Sequence, residues 1–206
     1  MKTLVIGANG KIGRLFCQRA ADSVRAMVRS DEQRGFFADA GIDTVVGDLE
    51  GDFAHALEGC ERVVFTAGSG GHTGGDKTLL VDLYGAIRAI EESERRGVKH
   101  FVMVSALRAD EPLAAHPTMR HYFVAKKLAD DRLRASTLPY TILRPGRLSD
   151  EPPSGRVRCD LEAGEGVDIS RGNVALCIEA ALASKASMGR VVDLLDGELP
   201  IESLFG

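Results

Sequence analysis

Short apolar runs rich in β-branched residues alternate along the chain with amphipathic stretches. Seven of these runs are bounded by Gly, Asp, Ser or Pro and are predicted to be strands: residues 2–6, 24–28, 43–46, 61–66, 101–104, 140–143 and 190–195. Six stretches between them have helical patterning: residues 11–21, 32–40, 53–57, 77–96, 119–135 and 174–184. The alternation predicts an α/β fold in three layers, a doubly wound parallel sheet with helices on both faces.

The clearest helical pattern lies in residues 77–96. Its apolar positions share one face, which we expect to pack on the sheet: Leu79, Leu83, Ala86, Ile87 and Ile90. No internal repeat, low-complexity linker or long break in the alternation separates a second unit. One domain over residues 1–206 is therefore predicted.

Two stretches do not fit the alternation. Residues 68–75 contain five glycines in eight positions and follow a predicted strand, where open α/β sheets place their ligand crevice. Residues 147–168 are polar and rich in Pro and Gly. We expect both to be loops, the second being either a small flap on the substrate side or a surface excursion.

A glycine motif stands at the first junction between strand and helix. Strand 2–6 runs into Gly7-Ala8-Asn9-Gly10-Lys11-Ile12-Gly13, and a helix follows at once. Glycines permit a tight turn, leave room for a pyrophosphate and let helix and strand approach closely, while the helix N-terminus offers N–H groups to an anion. In this position GxxGxxG predicts a Rossmann-type dinucleotide-binding domain.

The end of the second strand bears on which dinucleotide is bound. Arg29 and Ser30 follow that strand, and a basic residue there accommodates the 2′-phosphate of NADP, whereas an acid would bind the ribose of NAD. Asp31 is close enough to argue for NAD, but the pattern favours NADP(H). After the third strand, Asp48 either accepts a hydrogen bond from the adenine or caps the segment that follows it.

Composition and charge narrow the class of ligand. Glycine occupies 23 of the 206 positions, or about 11 %, which is above the average content of about 7 %. With 44 % hydrophobic and 27 % charged residues the chain is of the ordinary globular type. A net charge of −4 without a long run of either sign argues against a nucleic-acid partner and for a small molecule.

The expected location and the expected lack of a metal site are inferred from motifs that the sequence does not contain. No window resembles a membrane helix and the N-terminus does not resemble a signal peptide, so we expect a cytoplasmic protein without a membrane partner. Four cysteines show neither CxxC spacing nor nearby histidines: Cys17, Cys60, Cys159 and Cys177. They are predicted to be buried, reduced thiols, with no metal site.

Several motifs occur in the order found in short-chain dehydrogenases/reductases. They are the glycine motif, Val28-Arg29, Gly47-Asp48-Leu49, Ala67-Gly68, Val104-Ser105-Ala106, Tyr122-xxx-Lys126 and Arg144-Pro145-Gly146. Over nearly the whole chain the set resembles the atypical branch related to NAD(P)-dependent epimerase/dehydratases, and it is similar to NmrA-like and biliverdin reductase B/flavin reductase-like proteins. The chain departs from the usual pattern in having Ile6 before the first glycine, Ser69 in the fourth-strand turn and Ala106 after Ser105.

The resemblance directs attention to three residues as a catalytic group. Tyr122 and Lys126 are four positions apart on a predicted helix, so they share a face, which continues inward through Ala129 and Leu133. The lysine charge should pull the pKa of the phenol towards neutral pH, so that Tyr122 serves as acid or base. Ser105, at the end of the central strand, would hydrogen-bond the substrate oxygen. Lys126 would also contact the nicotinamide ribose, as the resemblance implies.

The function that follows is hydride transfer between NADP(H) and a small carbonyl or hydroxyl compound, by an oxidoreductase or epimerase-like enzyme. Two alternatives stay open: a non-catalytic NADP(H) sensor, and a flavin- or biliverdin-reductase-like enzyme that does not use the Tyr/Lys pair. The sequence also leaves a homodimer open. The expected cofactor-binding residues are Gly7, Asn9, Gly10, Lys11, Ile12, Gly13, Arg29, Ser30, Asp48, Leu49, Ala67, Gly68, Ser69, Lys126 and Pro145.

A few polar residues near the expected crevice have weaker claims. His72, His116 and His121 are titratable, but single histidines in loops are more often merely solvated. Asp82, near the start of the long helix, would contact either the substrate or the helix dipole. Asn173 is predicted to cap the last helix.

Overall fold

A nine-stranded sheet forms the centre of the molecule in the computed structural model, which describes residues 1–71, 73–160 and 166–206. The strands are β1 (Thr3–Ile6), β2 (Val24–Val28), β3 (Asp43–Val46), β4 (Arg62–Phe65), β5 (His100–Val104), β6 (Tyr140–Pro145), β7 (Arg147–Ser149), β8 (Arg156–Arg158), β9 (Asp168–Ser170), β10 (Arg190–Asp196) and β11 (Leu199–Pro200). Their order in the sheet is β11-β8-β10-β6-β5-β4-β1-β2-β3, while β7 and β9 form a separate parallel pair.

The seven predicted strands are confirmed, with ends that differ by at most two residues. They pair in parallel from β3 to β10, and β8 adds to β10 in antiparallel orientation. The prediction that residues 147–168 form only a loop is wrong in part, because β7 and β8 lie within it. Strands of two or three residues are too short to show an alternating pattern.

Helices cover the sheet on both faces. They are α1 (Lys11–Arg19), α2 (Gly35–Ala38), α3 (Gly75–Lys77), α4 (Ala86–Arg95), α5 (Arg120–Arg134) and α6 (Arg171–Ala183), with a π-helical segment at Thr78–Gly85 joining α3 to α4. Single 3₁₀ turns lie at Ala21–Ser23, Asp31–Arg34, Ala54–Leu57, Pro112–Ala114, Pro117–Met119, Lys185–Ser187 and Ile201–Ser203. Two predicted helices are shorter than expected: residues 32–40 divide between a 3₁₀ turn and α2, and residues 53–57 form only a 3₁₀ turn.

Two hydrophobic cores lie on opposite faces of the sheet, because side chains alternate along each strand. In β1, Val5 enters the core beneath α1, α2 and α6, whereas Leu4 and Ile6 enter the core beneath α4 and α5. Strand β5 divides in the same way. Burial on both faces explains the nearly continuous apolar runs of the central strands, and it establishes the doubly wound Rossmann arrangement.

The helix joining β4 to β5 packs in a different register from the predicted one. Ala86 and Ile90 are fully buried as expected, but Leu79 is 55 % exposed. In the π-helical segment the buried positions are Thr78, Asp82 and Gly85. A π-helix has more residues per turn than an α-helix, so a face extrapolated at 3.6 residues per turn misses the position of Leu79.

Two smaller predictions are corrected. Asn173 does not cap α6; Ser170 is the N-cap and accepts a hydrogen bond from the Asn173 N–H at 3.0 Å. The Asn173 amide instead donates to Asp196 at 2.7 Å and fixes the start of β8. Of the cysteines, Cys17 and Cys177 are buried, but Cys60 is half-buried and Cys159 exposed.

Within the described ranges, none of the helices has the length and apolar character needed to span a bilayer.

Candidate functional site

A crevice lies at the carboxyl ends of the neighbouring strands β1 and β4. These neighbouring strands lead to α1 on one face and to α3 on the other, which is the switch point where open sheets bind ligands. A cavity of about 370 Å³ lies there. It is lined by Gly7, Asn9, Gly10, Met27, Arg29, Gln33, Asp48, Leu49, Glu50, Thr66, Ala67, Gly68, Ser69, Gly70, Thr73, Lys77 and Val81.

The glycine motif has the geometry of a phosphate cradle. Gly7 has φ +86°, and a Cβ on it would lie 2.4 Å from the Ala67 nitrogen. A Cβ on Gly13 would lie 2.5 Å from the Gly7 oxygen, so this residue allows α1 to approach the loop closely. Gly10 occupies the N-cap of α1, where no side chain of the described residues caps the helix and its first turn has no acidic residue. The cradle therefore fits a pyrophosphate, with the helix N–H groups facing the anion.

Arg29 and its surroundings fit a second phosphate. The Arg29 side chain is exposed at the cavity and makes no hydrogen bond or ion pair with a described residue, while its N–H donates to Gln33 Oε1 at 2.9 Å. Asp31, the residue that argued for NAD, pairs with Arg34 at 2.7 Å. The guanidinium is thus available to a ligand, whereas the carboxylate already has a cationic partner.

The loop after β3 forms the opposite wall and is held by an arginine that the sequence did not single out. Arg88 donates to the carbonyl oxygens of Leu49 at 2.7 Å and Gly51 at 2.8 Å. Asp48 Oδ1 accepts the Glu50 N–H at 2.9 Å, so part of this carboxylate is used within its own turn. An arginine inside an amphipathic helix gives no sequence signal that it will reach across to a neighbouring loop.

An ion pair lies at the rim of the same cavity. Lys77 Nζ is 2.7 Å from the nearer carboxylate oxygen of Glu50, and both residues line the cavity. Sequence reasoning missed this pair because Glu50 lies in the turn after β3 and Lys77 ends α3, 27 positions away.

Lys126 and Tyr122 lie on the inward face of α5, as their spacing predicts. Lys126 is buried, and its Nζ donates to the Val104 carbonyl at 2.9 Å. Burial lowers the pKa of Lys126, and the carboxylates of Asp82 and Asp130 oppose this change. Tyr122 is half-buried, and its hydroxyl makes no hydrogen bond with a described residue.

The pKa of Tyr122 shifts in the direction opposite to the predicted one. Burial raises it most, and the negative charges of Asp82 and Asp130 raise it further. The sequence argument counted the lysine charge but had no means of locating the two carboxylates, which disfavour a phenolate.

Ser105 lies outside the lining of the cavity. Its Oγ is buried and has no hydrogen-bond partner of normal geometry among the described residues, and the same is true of Asp130 Oδ1. Asp130 is fully buried and accepts from Arg144 Nε at 3.0 Å. Burial raises the pKa of Asp130, while Ser105, Lys126 and Arg144 lower it. Ser105 therefore faces an interior carboxylate in this conformation.

Asp82 affects the pKa values of Tyr122 and Lys126 and also contacts the wall of the cavity. It is buried on the π-helical segment, where its Oδ2 accepts the Ser69 N–H at 2.9 Å. A Cβ on Gly68 would be 3.1 Å from Asp82 Oδ1, so the carboxylate packs directly beneath the loop that lines the cavity. The sequence suggested that Asp82 contacts either the substrate or the helix dipole, and neither role describes this contact with the Ser69 backbone.

The other expected site residues divide into several environments. Lys11 pairs with Asp150 at 2.6 Å, Ile12 is part of the core beneath α1, and Pro145 is buried in β6. Together with Ser30, Gly13 and the Ser105–Tyr122–Lys126 group, these residues lie outside the lining of the cavity. His116 and His121 are exposed, and His72 lies outside the described residues.

Comparison with known proteins is consistent with this geometry. The model of the NAD(P)H-binding family matches residues 7–185. A Bacillus subtilis protein named uncharacterized sugar epimerase YhfK is 47 % identical over 210 residues, which cover 98 % of this chain and 97 % of that protein. A Bacillus halodurans structure, named for NAD-dependent epimerase/dehydratases, superposes with a TM-score of 0.95 at 43 % identity over 100 % of this chain and 98 % of that one.

A more distant structure shows the fold alone. Triphenylmethane reductase from Citrobacter, complexed with NADP(H), has a TM-score of 0.70 at 20 % identity, covering 96 % of this chain and 71 % of that one.

Proposed function

Because the chain belongs to the NAD(P)H-binding family, an oxidoreductase- and epimerase-like group, we propose that it is an NADP(H)-dependent oxidoreductase that reduces a small carbonyl compound. The observation that carries this proposal is the crevice at the switch point. Its glycine cradle fits a pyrophosphate, and the guanidinium of Arg29, which pairs with none of the described residues, follows the second strand, where a basic residue favours NADP.

The cofactor would lie along the carboxyl edge of the sheet. Asp48 and Leu49 would contact the adenine, and Arg29 with Ser30 would hold the 2′-phosphate. The N-terminus of α1, from Lys11 to Gly13, would bind the pyrophosphate. The loop of Ala67, Gly68 and Ser69 would face the middle of the molecule, with Lys126 and Pro145 near its nicotinamide end. When bound, the cofactor supplies a hydride to the carbonyl carbon.

Tyr122 is the residue that we propose to supply the proton. Burial and the two carboxylates raise the pKa of its phenol, so the hydroxyl stays protonated at neutral pH. A protonated phenol donates a proton to the oxygen that becomes negative as the carbonyl is reduced. Lys126, on the same face of α5 and held by the Val104 carbonyl, would bring its ammonium towards that oxygen. The environment of Tyr122 therefore keeps the phenol in its proton-bearing form.

The test is oxidation of NADPH in the presence of a panel of aldehydes, ketones, quinones and flavins. Replacing Tyr122 with Phe should lower kcat by about 10²- to 10⁴-fold, the usual contribution of a positioned acid. Tyr140→Phe, at the amino end of β6 and so at the edge of the sheet opposite to the crevice, serves as the control and should retain activity. A fully active Tyr122→Phe variant would favour the flavin- or biliverdin-reductase-like alternative. If no substrate turns over while NADP and NADPH raise Tm by clearly different amounts, the enzyme proposal fails and a sensor is favoured.

A further inference from the structure

Arg108 adopts a backbone conformation that its residue type disfavours. Its φ is +61°, and it is the one non-glycine residue with positive φ in the described part of the chain. The conformation belongs to a turn in which the Ala109 N–H donates to the Ala106 oxygen and the Glu111 N–H to the Arg108 oxygen, both at 3.1 Å. Glycine fits this region without the clash between Cβ and carbonyl that arginine incurs. Such outliers concentrate at functional sites.

The side chain of Arg108 has no structural partner to explain its presence. It is exposed and makes no hydrogen bond, ion pair or ring contact with any described residue. Arg144, at the same end of the sheet, is instead bound to Asp130 and also pairs with Asp110 at 3.3 Å. Of these two arginines, only Arg108 has a guanidinium that is free for a ligand.

The position of Arg108 is set by the end of the central strand. Beyond β5 the chain continues beside β6, with the Ser105 N–H donating to Leu143 at 2.7 Å and the Leu107 N–H donating to Pro145 at 2.9 Å. Arg108 therefore directly follows the last of these hydrogen bonds to β6. It lies at the carboxyl edge of the sheet, which also carries Ser105 and the Val104 carbonyl that accepts from Lys126. Ligands of open α/β sheets bind outside this edge.

We propose that Arg108 is a specificity-determining residue that binds a carboxylate on the substrate, so that the preferred substrate is a carbonyl compound bearing one negative charge. This inference rests on the proposed reduction and names its substrate class. A guanidinium presents two parallel N–H donors that match a carboxylate. Glu111 lies three positions after Arg108, and its negative charge opposes a dianionic phosphate more strongly than a monoanion.

Matched probe substrates test the assignment. Phenylglyoxylate and acetophenone both carry an aryl ketone, but only the first has a carboxylate. In Arg108→Gln, kcat/KM for phenylglyoxylate should fall roughly 10- to 100-fold, as expected when a charged hydrogen-bonded pair is lost. The value for acetophenone should change by less than about twofold. Arg134→Gln removes an equal charge from the far end of α5 and should leave both values unchanged.

Stability provides a second readout. Arg108→Gly relieves the unfavourable φ, so its Tm should rise by about 2–4 °C while discrimination for the carboxylate is lost. Calorimetric titration of phenylglyoxylate into the NADP-loaded chain measures binding without turnover, and the affinity should fall in both variants. An unchanged affinity and unchanged kcat/KM in Arg108→Gln would overturn the inference, as would a wild-type chain that prefers acetophenone.

The two proposals fail in different ways. If neither ketone is reduced but phenylglyoxylate binds through Arg108, the proposed function fails while the anion site stands. If acetophenone is reduced and phenylglyoxylate shows no dependence on Arg108, the enzyme stands and the anion site is refuted.

Discussion

His100 should make the stability of the fold depend on pH. It is 2 % exposed at the start of β5, and its Nε2 lies 2.8 Å from Thr141 Oγ1. Burial, with a smaller effect of Arg62, lowers the pKa of His100 from 6.5 to about 4. In the unfolded chain the imidazole regains its ordinary pKa. Between these two values the unfolded chain binds more protons than the folded one, so stability falls as the pH is lowered.

The magnitude follows from the two pKa values. With about 6.5 unfolded and about 4 folded, linkage predicts a loss of about 2 kcal/mol between pH 7 and pH 5 and of about 3 kcal/mol between pH 7 and pH 4. Because the ring is almost completely buried, little of this effect should be screened by solvent.

Urea unfolding followed by far-UV circular dichroism at pH 7, 6, 5 and 4 measures the effect. Carboxylates also titrate in this range, so the relevant quantity is the wild-type free energy of unfolding minus that of His100→Gln. His121→Gln, which alters an exposed ring, is the matched control and should parallel the wild type. A difference between wild type and His100→Gln that stays constant with pH would refute the reasoning, because it would mean that His100 titrates alike in both states.

Three further predictions concern the crevice and its support. Arg29→Ala should weaken NADPH binding by roughly 10- to 100-fold and leave NADH binding unchanged in fluorescence titrations; equal losses for both would remove the 2′-phosphate role. Arg88→Met should free the carbonyls of Leu49 and Gly51 and weaken NADPH binding by up to about tenfold; full affinity would show that the loop needs no such support. Asp130→Ala leaves Arg144 buried with only the exposed Asp110 and should cost about 3–5 kcal/mol in urea unfolding, whereas Asp131→Ala breaks a surface pair with Lys127 and should cost less than about 1 kcal/mol. Similar costs for the two variants would contradict the buried role of Asp130.

The layered fold and the phosphate cradle were predictable because they depend on local chemistry. Strands buried on both faces must be apolar, and a loop that touches a pyrophosphate must omit Cβ atoms at particular positions. Gly7 and Gly13 satisfy that requirement, and the parallel order from β3 to β10 follows from the alternation with helices.

The remaining features depend on contacts between distant parts of the chain. The exposure of Leu79 follows from a π-helical segment, which the hydrophobic pattern of the sequence does not predict. The direction of Ser105 and the raised pKa of Tyr122 depend on Asp82 and Asp130, which approach from two different helices. The positive φ of Arg108 is equally invisible in a sequence, because arginine is not a residue that signals it.

The hydrogen bond from Lys126 to Val104 affects the entropy that is lost when a ligand binds. The long side chain is already immobilised against the end of β5, so its rotamer entropy is lost when the protein folds. A ligand that binds at that edge, as proposed, would meet an ammonium already held in place and would not have to immobilise it. Preorganisation of this kind raises affinity without adding a contact. Arginine at position 126 would be a poor replacement for lysine, because its planar guanidinium does not fit the space that a single ammonium fills.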